Sequence, residues 1–181
     1  MDYNIEASKL FASKALKKIP VQEAGWYQEY RMGKNLRIIF VPAKHWGRRG
    51  LNDFNRVLWG GFLIMDGNTK LFFAGDSAYD PCLFKEIRQL FGDMDICLLP
   101  VGAYSPPFVM QKAHMNPEEA VQVFSDLGGR YFIPMHYGTY DLSDEPLSEP
   151  IKRLRQCLSD KGMEHRIKEL AVGERCWITN E

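Results

Sequence analysis

Short apolar runs that end abruptly in polar residues organise this sequence. The run at 71–74 leads through Gly75 to Asp76, and an apolar run with aromatic residues and a closing turn residue is typical of a buried β-strand. Asp is unfavourable within a strand, so we expect Asp76 just beyond the strand end, at the rim of a sheet. Two other runs end similarly: residues 36–41 lead to His45, and residues 131–135 lead to His136.

These three polar residues are candidates for one shared site. A His, an Asp and a His that each follow a strand can hold a metal ion if the strand ends meet on one side of a sheet. A lone His at a strand end is more often a structural residue, and spacing by itself leaves both interpretations open. Imidazole and carboxylate ligands suit zinc, manganese and iron, so the ligand types do not select the metal.

The remaining periodic segments predict a sheet covered by helices. Apolar runs at 57–65 and 96–101 indicate buried strands, and Asp66-Gly67-Asn68 predicts a hairpin turn. Helices are predicted at 5–18, 82–91, after the capping residue Asn116, and at 150–161, with a short strand after the last. Strands that alternate with helices indicate an α/β fold. The apolar stripe predicted for the helix at 82–91 consists of Leu83, Ile87, Leu90 and Phe91.

Two irregular stretches carry side chains suited to binding. Residues 102–116 include Tyr104, Phe108 and His114 and are too apolar for a solvated linker, so we expect a loop folded over something. A glycine-flanked loop places Arg48 and Arg49 just after His45. This loop is either a solvated basic surface or an anion-binding site.

Composition narrows the class of protein. A chain of 181 residues is long enough for one domain with a core, and Lys+Arg and Asp+Glu balance at 23 each, so no basic field recruits nucleic acid. The four cysteines lack close metal spacing and indicate unpaired thiols. No stretch resembles a signal peptide or a transmembrane segment, so we expect a cytoplasmic protein.

Six short blocks, all in one order, resemble a known family. They are Pro42-Ala43-Lys44-His45-Trp46, Leu58-Trp59-Gly60-Gly61-Phe62, Phe72-Phe73-Ala74-Gly75-Asp76-Ser77, Gly102-Ala103-Tyr104, His114-Met115-Asn116-Pro117-Glu118-Glu119-Ala120 and Met135-His136-Tyr137-Gly138-Thr139. Together they resemble the C-terminal half of a metallo-β-lactamase-fold hydrolase. The most similar branch is that of N-acyl-phosphatidylethanolamine-hydrolysing phospholipase D, with the ascorbate-6-phosphate lactonase branch further away.

The resemblance implies an αββα sandwich with two zinc ions at one edge, between the sheets. By position, His45 completes the ligand set of the first ion, Asp76 bridges both ions, and His136 closes the second set. A water whose pKa the ions lower is then the nucleophile on a phosphorus or carbonyl centre, with Asp76 taking part in catalysis. His114 matches a position close to the site, where an imidazole can orient substrate or transfer a proton. The alternative is that His114 only packs under its loop.

One departure from the family pattern changes the expected function. The family's HxHxDH motif is absent from these residues, and Met1-Asp2-Tyr3 resembles the residues that follow it. We therefore expect a single, incomplete domain over 1–181 with three of seven metal ligands, too few for a stable dinuclear centre, and an inactive hydrolase in this form. The alternative function is a catalytically dead fragment that self-associates, as a homodimer, or binds a partner through uncovered apolar strands.

The substrate expected for such a hydrolase is a small-molecule or lipid-like phosphoester or a lactone. Arg48 and Tyr104 are the candidate substrate contacts. They are compatible with an anionic group that bears an apolar tail, and equally with a small sugar phosphate.

Overall fold

The computed structural model describes residues 21–48 and 50–178. These residues form one mixed β-sheet with helices on one face. Its strands lie side by side in chain order: β1 (Glu29–Met32), β2 (Leu36–Pro42), β3 (Gly60–Asp66), β4 (Thr69–Phe73), β5 (Ile96–Pro100) and β6 (Tyr131–Met135). The helices are α1 (Pro81–Phe91), α2 (Pro107–Met110), α3 (Pro117–Asp126) and α4 (Glu149–Asp160), followed by a 3-10 helix at Glu164–Arg166. The helix predicted at 5–18 lies outside the described residues.

Strand direction explains how distant residues meet. The pairs β1–β2, β2–β3 and β3–β4 are antiparallel, whereas β4–β5 and β5–β6 are parallel. Strands β2, β4, β5 and β6 therefore run in the same direction and end at one edge of the sheet. We call the residues that directly follow these four strands the strand-exit edge.

The helix-covered face of the sheet carries the core. A cross-strand row of buried apolar residues runs across it, and the buried side chains of α1, α3 and α4 join the same cluster. Asn116 caps α3 as predicted, in a capping box with Glu119. Asp80, which was not predicted as a cap, accepts from two amides at the start of α1. The row consists of Ile39, Leu63, Phe72, Cys97 and Phe132.

The opposite face, which we call the open face, is apolar and only partly buried. The alternate residues of the same strands point to it, as the two-residue period of a strand requires. The helices α1, α3 and α4 pack on the other side. The open face consists of Ile38, Phe40, Phe62, Ile64, Leu71, Phe73, Ile96, Leu98 and Ile133.

Two details of the prediction were wrong. Leu90, which the predicted apolar stripe of α1 placed in the core, is 57% exposed. Phe84 is buried instead, because the sheet contacts the side of α1 that holds Phe84 and Ile87. The short strand expected after α4 is absent from the described residues. The chain there forms the 3-10 helix and a single bridge between Phe132 and Ile167.

Candidate metal centre

Hydrogen bonds between two strand exits bring His45 close to Asp76. The amide of Lys44 donates to Ser77 Oγ over 3.0 Å, and the amide of Ala78 donates to the Lys44 carbonyl over 2.8 Å. These bonds form an antiparallel bridge between Lys44 and Ala78. His45, next to Lys44, and Asp76, two residues before Ala78, are thereby held close together.

A backbone turn presents Asp76 to the site. Gly75 has φ +63°, and a Cβ atom there would lie 2.9 Å from the Gly60 carbonyl oxygen. Only glycine fits this combination of conformation and close approach. The carboxylate that follows is exposed, and its Oδ1 lies 3.5 Å from Nε2 of His136, the residue directly after β6.

His114 joins the same point from the loop between α2 and α3. Its amide donates to the Met110 carbonyl over 2.8 Å, and its neighbours Ala113 and Met115 are both buried. Because adjacent residues anchor the loop in the core, the imidazole between them is turned toward the strand-exit edge. The sequence interpretation treated His114 as a proton carrier or packing residue near the site and did not include it among the ligands.

The four side chains form one cluster. One ligand atom from each of His45, Asp76 and His114 lies within 4.8 Å of the others. The ring centroid of His114 is 5.2 Å from that of His45 and 5.4 Å from that of His136. Ligands of one tetrahedral zinc ion at about 2.1 Å lie roughly 3.4 Å apart, so modest side-chain rotation brings three donors to bonding distance.

Two nitrogen atoms of the cluster have no partner among the described residues. Nδ1 of His45 lies 2.8 Å from the Trp46 carbonyl, which can only accept, so Nδ1 carries the proton and Nε2 keeps its lone pair. That Nε2 atom is buried without a hydrogen bond, and so is Nδ1 of His114. Buried polar atoms are normally paired, so two unpaired imidazole nitrogens beside a carboxylate fit a metal ion.

The electrostatics of His114 favour its neutral form. Burial is the largest effect and lowers the pKa of His114, the nearby Asp76 carboxylate opposes this, and the imidazoles of His45 and His136 lower it further. A neutral imidazole is the form that binds metals.

The two predicted substrate contacts have different surroundings. Arg48 is exposed and borders a cavity of about 460 Å³ that also contacts His45 and Asp76. Its guanidinium donates to the Gly50 and Leu51 carbonyls. Tyr104 is only 6% exposed, and its hydroxyl donates to Glu149 over 2.7 Å, so it is built into the wall of the fold. Arg49 lies outside the described residues.

One residue near the site was missed by the sequence analysis. Glu145 is 8% exposed and accepts hydrogen bonds from the main chain after β5. A Glu among Ser, Asp and Pro reads as part of a solvated loop, and no periodicity marked it as buried.

Comparison with known proteins identifies the family of the chain. The sequence profile of the family described as "Beta-lactamase superfamily domain" matches residues 4–137, well over half of the chain. The chain belongs to the metallo-β-lactamase superfamily. The predicted resemblance is thereby confirmed, and the sheet with its helices is part of the fold that members of this superfamily share.

Two similar superfamily members are longer than this chain. N-acyl-phosphatidylethanolamine-hydrolyzing phospholipase D 1 of Caenorhabditis elegans is 35% identical over 76% of this chain and 40% of its own length. The mitochondrial N-acyl-phosphatidylethanolamine-hydrolyzing phospholipase D of Saccharomyces cerevisiae is 36% identical over 81% of this chain and 32% of its own. The chain thus spans less than half the length of these curated relatives.

A solved structure shows the same fold at low identity. The metallo hydrolase Igni18 from Ignicoccus hospitalis aligns with a TM-score of 0.62 and 19% identity, covering 81% of this chain and 56% of the other. The predicted αββα sandwich is the superfamily's fold, and the described residues form one sheet of it with one helical layer. Among the described residues of this superfamily member, no helix is long and apolar enough to cross a membrane.

Proposed function

We propose that the chain binds a divalent metal ion, with zinc as the first candidate. We further propose that it is part of a metal-dependent hydrolase of phosphodiester or lactone-type substrates. The observation that supports this most strongly is the pair of buried, unpaired nitrogen atoms, His45 Nε2 and His114 Nδ1, beside the exposed Asp76 carboxylate. A buried polar atom without a partner is unfavourable unless a ligand binds it.

The four side chains of the cluster have two kinds of role. His45, Asp76 and His114 hold the ion, with the His45 tautomer set by the Trp46 carbonyl. His136 Nε2, 3.5 Å from Asp76, orients that carboxylate or supplies a fourth donor. When bound, zinc supplies Lewis acidity and a water of lowered pKa. These four residues suffice for one ion, so we expect close to one zinc per chain.

The surroundings of the cluster fit an ester with an anionic and an apolar part. The cavity that borders His45 and Asp76 has Arg48 on its rim, and a guanidinium binds phosphate oxygens well. Trp46 and Phe54 stack beside it with both rings partly in solvent. A phosphoester that bears an apolar group can place its charge by Arg48 and its apolar group on these rings.

Zinc titration followed by an assay tests the function. The metal-free protein is titrated with zinc against a chromophoric chelator, and bis(p-nitrophenyl) phosphate and a γ-lactone are then offered to the loaded protein. We expect one tightly bound ion that is lost in Asp76→Asn. Zinc binding without hydrolysis of either substrate supports the metal site and the inactive form of the hydrolase. No zinc binding by the folded protein refutes the metal-dependent function.

The open face supports a second candidate function, that of a self-associating module. Its side chains are apolar across the β2 to β6 strands, and Phe62 on β3 is 40% exposed. Contiguous apolar surface of this extent promotes association between copies. The two candidates are compatible, because the metal centre lies at the edge of the sheet and the open face on its surface.

Sedimentation velocity tests this second function. We expect a dimer that Phe62→Glu dissociates, since a buried unpaired carboxylate is strongly unfavourable in an apolar interface. Leu90→Glu, at an exposed position on α1, is the matched control and leaves the dimer intact. A monomeric wild-type protein contradicts the proposal.

A further inference from the structure

The carboxylate of Glu145 is bonded almost entirely to main-chain amides. Oε1 accepts from the amide of Ala103 over 2.6 Å and from that of Tyr104 over 3.4 Å, and Oε2 accepts from the amide of Ser105 over 2.9 Å. The carbonyl of Ser105 in turn accepts from the amide of Asp144 over 3.1 Å. One side chain therefore fixes three consecutive residues of the segment that follows β5.

This segment has a conformation that needs external support. Ala103 has φ +63°, the left-handed region, in which a Cβ atom is crowded by its own backbone. No glycine stands at this position, so the surrounding bonds must hold the residue there. The bonds from the Ala103 amide and its neighbours to Glu145 are the described interactions that do so.

The same segment packs against the main chain of His136. The amide of Val101 donates to the Met135 carbonyl over 3.1 Å, and a Cβ on Gly102 would collide with the His136 carbonyl oxygen. His136 is itself left-handed, with φ +60°, so its ring direction depends on the main chain packed against it. Gly102, Ala103, His136 and Glu145 line one small cavity.

We propose that Glu145 is a positioning residue for the metal centre. Its carboxylate holds residues 103–105 in place, and this segment holds the backbone of His136 so that the ring meets Asp76. The proposal deepens the proposed metal-binding function and rests on it for the affinity measurement below. It differs from a general structural role because it predicts an effect on one particular histidine.

The test compares two buried carboxylates. Glu145→Gln keeps the shape but turns an amide group toward a main-chain N–H. Asp126→Asn is the matched control, because Asp126 is similarly buried but accepts from the side chains of Tyr79 and Gln122 on the helix-covered side. The imidazole signals of the four histidines are recorded by NMR in the metal-free proteins, with His165 as internal reference. Thermal unfolding and zinc affinity are measured on the same samples.

We expect Glu145→Gln to shift the His136 signals without moving those of His165, and to weaken zinc binding about 10- to 100-fold, the effect typical of residues that orient a ligand. Asp126→Asn lowers the melting temperature but changes neither readout. Adding Ala103→Gly to Glu145→Gln restores part of the affinity, because glycine adopts positive φ without steric strain. If Glu145→Gln does not fold, the same measurements are made on Glu145→Asp and compared with the wild type.

Unchanged His136 signals in a destabilised Glu145→Gln protein overturn the proposal and leave Glu145 a purely structural residue. Zinc affinity within about twofold of the wild type has the same meaning. Failure of the wild-type protein to bind zinc refutes the proposed function instead, and the metal-free His136 signals still decide whether Glu145 positions this histidine.

Discussion

The helix-covered face and the strand-exit edge of the same sheet are built in opposite ways. On the helix-covered face, side chains such as Phe72 and Phe132 are buried among apolar neighbours. At the strand-exit edge, His45 and His114 each bury a nitrogen without a partner, and Ala103 and His136 are left-handed without being glycine. Unpaired donors and strained backbone lower stability, so the first region stabilises the fold and the second uses part of that stability to hold a binding site.

The largest expected effect belongs to the core. Phe124→Ala removes a buried ring 5.3 Å from that of Phe132, and we expect the unfolding free energy to fall by about 3–5 kcal/mol. Leu90→Ala on the exposed side of α1 should change it by less than about 0.5 kcal/mol. Urea unfolding of both variants checks this contrast, and equal losses would show that the two positions are not as differently packed as the structure indicates.

Metal binding should offset the stability that is lost at the strand-exit edge. A ligand that binds only the folded state at 100 times its dissociation constant stabilises by about 2.7 kcal/mol, so zinc should raise the melting temperature clearly and EDTA should reverse the rise. Asp76→Asn should melt at the same temperature with and without zinc. If zinc does not change the melting temperature of the wild-type protein, the strand-exit edge does not bind the metal as proposed.

Replacement of a predicted ligand should separate stability from binding. His114→Phe keeps a flat ring between His45 and His136 but removes the buried unpaired nitrogen. In EDTA we expect an unfolding free energy equal to that of the wild type or higher by up to about 1 kcal/mol, with zinc affinity reduced roughly 100-fold or more. A large loss of stability in EDTA would mean that His114 is a packing residue, as the alternative sequence interpretation held.

The smallest effect is a pH dependence. Burial by itself would raise the pKa of Glu145, but the hydrogen bonds from the Ser143 side chain and from the amides of Ser105 and Ala103 outweigh it and lower the pKa. Because the unfolded value of about 4.3 is higher, the unfolded chain binds more protons in acid, and this stabilisation is present above that pH and lost below it. The stability difference between wild type and Glu145→Gln should therefore shrink from about pH 5 downward. Acid titration of urea midpoints measures it, and a constant difference would contradict the lowered pKa.

The sequence predicted the sheet and its exits because both depend on local pattern. Apolar runs, turn residues and the capping signal at Asn116 act within a few residues. Apart from the short strand expected after α4, the described residues have strands and helices where these signals indicate. The sequence offered the convergence of His45, Asp76 and His136 as a hypothesis. In the structure β2, β4 and β6 run in the same direction, so their ends share an edge and the three residues lie near one another. Their roles as ligands stay predictions.

Only the tertiary structure placed His114 in the donor cluster and Glu145 beneath the loop, because neither position follows from periodicity. His114 reaches the site through a loop anchored by buried Ala113 and Met115, and Glu145 reaches back some forty residues to the amides of 103–105. The sequence determined the elements and the edge where strands end. Which irregular segments close over that edge was decided by long-range packing and hydrogen bonds, since a loop without a repeating pattern takes its shape from whatever it contacts.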